Sequence, residues 1–171
     1  IGVRLVGSEM CIETVQGLLK SLGEQLERLG VEHGIADNAA VVVLPGKKKL
    51  KTVVGLIPAP DSLRVEAFVC RAVEENHEAV YKWLLQRNRR LFGIGYTIDA
   101  AGDIYLVGQL PAQLSDDDLD RLLGQLLETA DGDFNQILER GFASAIKREW
   151  EWRVDRGENL ANLEQFRHMV E

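Results

Sequence analysis

The sequence predicts an α+β fold. It should be a two-layer sandwich of order α-β-β-β-α-β-β-α, with a five-stranded antiparallel sheet carrying the first helix and a long C-terminal helix on one face. Three observations predict it. Apolar residues recur every three or four positions near both ends of the chain, the mark of helices with one buried stripe. Between them, β-branched runs alternate with polar residues and are joined by short turn-forming stretches, which gives an antiparallel meander and a hairpin. The chain of 171 residues, 46% of them hydrophobic, suffices for one core without disulfides or a structural metal.

Residues 1–8 carry two glycines and no clear period, so they read as a tail or short extension to a single domain spanning 9–171. From about Glu9 to Leu29, the set Ile12, Val15, Leu19, Leu22, Leu26 and Leu29 forms the stripe of a first helix, with Gly30 as its C-cap. Residues 39–44 are β-branched and end at the turn dipeptide Pro45-Gly46. Residues 49–57 place Leu50, Thr52, Val54 and Leu56 on one face, and residues 63–72 alternate Leu63, Val65, Ala67 and Val69 with Arg64 and Glu66. Asn76 is placed to cap a second helix over about 77–91, and residues 92–99 and 103–110 form a hairpin closed by Ala100-Ala101-Gly102. Ser115 then caps the long helix, which runs to about Trp152 with Asp116, Asp117 and Asp118 in its first turn and a kink or split at Gly132. A short terminal helix over residues 159–170 completes the chain.

Composition narrows function more than it defines it. A net charge of -7 argues against broad phosphate binding, because non-specific nucleic-acid affinity comes from Lys and Arg neutralising the backbone. The basic run Lys47-Lys48-Lys49 with Lys51 sits at a turn and reads as a solvated edge, with a nucleic-acid or acidic-partner patch as the alternative. Cys11 and Cys70 lie outside any metal or redox spacing and suit reduced thiols of a cytoplasmic protein. No apolar run is long enough to span a bilayer.

Neither a metal nor a cofactor is expected. His33, His77 and His168 are scattered, and Asp131-Gly132-Asp133 lacks the other ligand positions of a calcium loop. Cys70 and His77 could form a nucleophile pair in a pocket, which keeps an enzymatic or small-ligand-binding domain as the alternative function. The packing reading of Cys70 is the simpler one, since strand cysteines usually behave as small buried hydrophobes. The segment from Lys147 to Arg156 combines Trp150 and Trp152 with alternating charges, about 200° apart on a helix. One of the two is expected against the terminal helix, or in contact with a partner.

Several blocks have a familiar composition. They are Ser62-Leu-Arg-Val-Glu-Ala-Phe-Val-Cys-Arg71, Glu75-Asn-His-Glu78 with Tyr81, Leu84 and Arg87-Asn88, and Asp99-Ala-Ala-Gly-Asp-Ile-Tyr-Leu-Val-Gly108. Leu122-Leu-Gly-Gln125, Asp133-Phe-Asn135 and Glu149-Trp-Glu-Trp-Arg153 continue them. Together they resemble the actinobacterial branch of the YbjN-domain family over about residues 10–170. The resemblance implies the fold of type III secretion chaperones, which dimerise and hold extended segments of partner proteins. It brings no catalytic motif. The expectation is a non-enzymatic, chaperone-like or regulatory module that binds a protein partner, acts in the cytoplasm and forms a homodimer. Tyr81, Trp83 and Leu85 on the second helix are the expected dimer contact, with Trp150 and Trp152 as the other contact candidates.

Overall fold

One apolar layer organises the molecule, and alternation along the strands builds it. In the computed structural model, which describes residues 2–171, the inward positions Val42, Val54, Ala67, Leu106 and Tyr96 form one cross-strand row. All five are buried. The strands are β1 (His33–Ala36), β2 (Ala39–Pro45), β3 (Lys51–Pro58), β4 (Ser62–Cys70), β5 (Ile94–Ile98) and β6 (Ile104–Pro111). They pair in the order β1-β2-β3-β4-β6-β5, antiparallel throughout. The predicted class holds, with six strands instead of five. The extra strand is β1, joined to β2 across Asp37-Asn38, where Asp37 takes the left-handed φ of 48° that a two-residue loop needs.

Helix α1 (Gly2–Arg28) extends back through the stretch read as a tail. Its 27 residues make it about 40 Å long. Leu19, Leu22 and Leu26 are buried and the helix meets β1, β2 and β3, whereas Met10 and Ile12 are exposed. The predicted stripe is therefore buried only in its second half. Gly30 ends the helix at φ 69°, and the Val31 amide returns to the Leu26 carbonyl (3.1 Å) as a C-cap should.

Helix α2 (His77–Asn88) inserts Val80 and Leu84 into the core and packs along β5. Asn76 sits at its N-cap position without capping it. Its side chain instead donates to the Arg140 carbonyl (3.1 Å), which ties the start of α2 to the end of a later helix, Phe134–Gly141.

The long helix is three helices: α3 (Asp116–Gly132), α4 (Phe134–Gly141) and α5 (Ala143–Arg156). Ser115 accepts from the Asp118 amide (3.1 Å), the predicted cap. The first break falls at Asp133, beside the predicted Gly132. The second, at Phe142, has a different cause. The Gly141 carbonyl accepts from the amides of Glu74 and Glu75 (3.0 and 3.1 Å), so it is pulled out of the helical ladder. The terminal helix is a 3-10 helix (Ala161–Met169) packed on α5.

Candidate interaction surface

The inward rows of the sheet lie under α1, α2 and α3, while its outer rows form an open face. Val41, Val43, Ile57, Tyr105 and Val107 are half-buried there by their strand neighbours alone. Val53 and Phe68 keep 39% and 37% of their surface in water. Phe68 meets Tyr105 edge-on at 5.4 Å, and Arg64 pairs with Glu66 at 2.7 Å across the same face. The sequence predicts that the second face of the sheet, or the middle helix, is left partly uncovered, but weighing only the inward set of each strand names none of the residues of this mixed apolar and charged face. Its signal is visible in hindsight: β2 and β3 carry valine on both parities of their alternation.

The two sheet edges differ. On β5, the Asn88 side chain accepts from the Tyr96 amide (2.6 Å) and donates to the Tyr96 carbonyl (3.2 Å). A side-chain amide thus stands where a neighbouring strand would bond, which blunts this edge. On β1, the Val43 amide donates to the Glu32 carbonyl (3.1 Å), and the alternation that follows turns the backbone groups of His33 and Ile35 outward.

The named helix residues do not form one patch. Tyr81 and Leu85, four residues apart, share a shallow groove of about 530 Å³ with Glu78, Lys82, Gln86 and Arg89. Leu85 is 66% exposed. Trp83 points elsewhere, half-buried between the Arg87 and Arg140 guanidinium groups at 5.7 and 5.0 Å from its ring. Trp150 faces the 3-10 helix, with Arg167 5.9 Å from its ring. Trp152 is 43% exposed under Arg156 at 4.7 Å. The structure therefore separates these five residues into four places.

Beneath α2 lies a buried polar network. Arg87 forks onto both oxygens of Asp133 (2.9 Å each), and the Tyr96 hydroxyl donates to Asp133 Oδ2 (3.0 Å). Burial, with the Asp133 carboxylate second, raises the Tyr96 hydroxyl far above its usual range, so it remains a donor. This locks α2, β5 and the α3–α4 junction together.

The other sequence candidates are absorbed by the fold. Cys70 is buried, and burial pushes its thiol up to about 12, where almost none is thiolate at neutral pH. His77 is exposed and stands edge-on to Tyr81 at 6.1 Å, and no hydrogen bond joins it to Cys70 among the described residues. In the lysine run, the Lys48 and Lys49 amides donate to Asp131 Oδ1 (2.8 Å each). Lys49 Nζ folds back onto the Lys51 and Phe68 carbonyls (3.0 Å each), and burial lowers its pKa. With Asp131 on these amides and Asp133 on Arg87, the Asp-Gly-Asp motif is occupied by the protein's own groups. Of the triple aspartate, Asp116 binds Arg28 and Gln25 (2.9 Å each), and these donors hold its carboxyl down to about 2. Among the described residues, no helix is long and apolar enough to cross a membrane.

A family model described as "Putative bacterial sensory transduction regulator" (YbjN) matches residues 12–139. The chain belongs to the YbjN family. An uncharacterised protein of Mycobacterium tuberculosis is 50% identical over 162 residues, covering 92% of this chain and 88% of the relative. One from Mycobacterium leprae is 54% identical over 143 residues, covering 83% and 77%. Among solved structures, the ExsC–ExsE complex superposes with a TM-score of 0.52 at 23% identity, over 73% of this chain and 94% of that one. YbjN from E. coli, titled a putative transcription regulator, superposes with a TM-score of 0.52 at 14% identity, over 69% and 91%. The HopA1–SchA chaperone–effector complex gives 0.50 at 16% identity, over 71% and 94%. At these identities the likeness establishes the type III secretion chaperone fold and stops there. The YbjN match ends inside α4, so α5 and the 3-10 helix follow the family unit.

Proposed function

We propose that this YbjN-family chain is a non-enzymatic protein-interaction module, chaperone-like or regulatory, that acts in the cytoplasm and holds a segment of a partner protein against the open face of its sheet. The observation that carries the reading is the set of partly exposed apolar residues Val41, Val43, Val53, Ile57, Phe68, Tyr105 and Val107 on one side of a six-stranded sheet. A surface of that extent, crossed by an Arg64–Glu66 pair that adds polar specificity, has the composition of a binding face. Two of the fold's neighbours bear titles that name a complex of two proteins, which supports a protein as the bound species. The outward edge of β1 offers an adjoining place for strand addition.

The homodimer belongs to the same proposal, with the Tyr81–Leu85 groove of α2 as its contact. Blunting of the β5 edge by Asn88 favours side-chain packing over sheet continuation on that side of the molecule.

The test is affinity capture from the native cell, comparing the wild-type chain with Val53→Lys/Val107→Lys and with Leu85→Asp. The sheet-face variant should lose the captured partner while remaining folded by circular dichroism, and Leu85→Asp should retain it. Retention of the same partner by the folded sheet-face variant would overturn the assignment of the face.

A further inference from the structure

The 3-10 helix Ala161–Met169 is unusually long. Nine residues exceed the three or four at which such helices normally stop, because the tighter winding bends their hydrogen bonds. Its first amide, Ala161, donates to Asn159 Oδ1 (2.7 Å), and a left-handed Gly157 (φ 67°) separates it from α5. One residue anchors it. Phe166 is 2% exposed, while Ala161, Asn162, Glu164, Gln165, Arg167 and His168 are all exposed.

Around that anchor the contacts are specific. Asn135 on α4 donates to Gln165 Oε1 (2.9 Å), and Glu139, one turn further on, meets His168 Nε2 at 3.3 Å. Arg167 lies over the Trp150 ring of α5, held also by Glu164 (2.9 Å) and Glu171 (3.6 Å) of its own segment. Between α4 and α5 the segment thus buries one aromatic ring and meets a carboxylate, a π face and an amide. The fit is incomplete: Asn135 Oδ1 is buried without a donor.

We propose that the α4–α5 cleft is a docking site for a helical protein segment that carries an aromatic anchor beside a cation, and that the C-terminal 3-10 helix is its exchangeable occupant within the chain. The chemistry of the partner is read from the cleft. Glu139 and the Trp150 face select positive charge next to the ring that replaces Phe166. A donor aimed at Asn135 Oδ1 would give the incoming segment an interaction that the resident one lacks. Exchange is favoured by the poor intrinsic stability of the resident helix, and tethering raises the concentration any competitor must overcome. The site is separate from the sheet face, so it stands or falls on its own measurements.

The test uses the full chain and a fluorescently labelled peptide of residues 158–171, followed by anisotropy. A full-length Phe166→Ala chain has its resident occupant weakened and should bind the peptide about tenfold or more tightly than wild type, because the competent fraction rises. Peptides carrying Phe166→Ala or Arg167→Glu should not bind. Equal affinity of the two chains, or no binding to a folded Phe166→Ala chain, would overturn the proposal. Should that variant fail to fold, amide exchange of the wild-type chain decides. Exchange of residues 161–169 about 100-fold faster than α4 and α5 supports an exchangeable occupant, and equal protection refutes it.

Discussion

Asp133 shows how much of this structure depends on single polar side chains. It lies at the α3–α4 junction, where it accepts from Arg87 and Tyr96. Replacement by Ala strands the guanidinium and the hydroxyl together. The expected cost is about 2–3 kcal/mol, below the roughly 3–5 kcal/mol of a fully buried pair because Arg87 keeps 31% of its side chain in water. Urea unfolding of Asp133→Ala and Arg87→Met, alone and combined, checks it, and the double variant should lose less than the sum of the singles. Cys70 makes a second prediction. With its thiol pushed up to about 12, the native chain should show one fast thiol, Cys11, and a second only after denaturation. A fast reaction at Cys70 in the native chain would restore the nucleophile reading. Asp116 links stability to pH: the folded carboxyl titrates near about 2 against a usual value of 3.8, so the unfolded chain takes up the proton first. Its contribution is complete above pH 4 and disappears as the pH falls towards 2. Asp116→Asn should remove that part of the acid dependence of unfolding.

At the scale of elements, what the sequence revealed and what it concealed have different physical origins. Strand alternation, the Ser115 cap and the Gly30 stop are local signals, encoded within a few residues of where they act, and each is found as expected except at Leu50, which was counted with an inward set but lies before β3 and is 91% exposed. The first break in the long helix was legible at Gly132 for the same reason. The break at Phe142 was not, because it depends on the Gly141 carbonyl bonding to Glu74 and Glu75, some 66 residues away in the chain. Strand β1 was hidden because His33-Gly-Ile-Ala has only one large apolar side chain and is mostly exposed. The contact candidates on α2 were legible as apolar, but the direction of Trp83 was set by Arg140 of α4, which sequence spacing does not reveal. Gly141 also yields a prediction. A Cβ there would lie 2.8 Å from Val73 Cβ, with Val80 behind at 3.5 Å, at the point where α4 crosses the loop leading into α2. Gly141→Ala should therefore cost up to about 2 kcal/mol despite alanine's better helix propensity, as about 1–3 kcal/mol of overpacking outweighs about 1 kcal/mol of propensity gain. Thermal unfolding measures it, and an unchanged or raised midpoint would show that the crossing can open.

For the whole molecule, one layer of helices covers one face of the sheet and leaves three unsatisfied features: the outer face, the β1 edge and the α2 groove. Of these, the groove is the place we propose for a contact between identical copies. Tyr81 and Leu85 lie on one stripe of a straight twelve-residue helix, and two such stripes can meet about a twofold axis, each supplying knob and hole to the other. The charged rim suits this arrangement, since Glu78 and Arg89 stand at opposite ends of the groove and would face each other across an antiparallel pair. Light scattering at micromolar concentration should then give twice the mass of the 19.1 kDa chain. Leu85→Asp places two carboxylates at the axis and should return the single-chain mass. Because Leu85 is largely exposed within one copy, it should do so with a change in monomer stability of no more than about 0.5 kcal/mol. A single-chain mass for wild type would remove the dimer but leave the sheet face as it is. A dimer that survives Leu85→Asp would move the contact off α2, and the outward edge of β1 would become the next place to introduce charge.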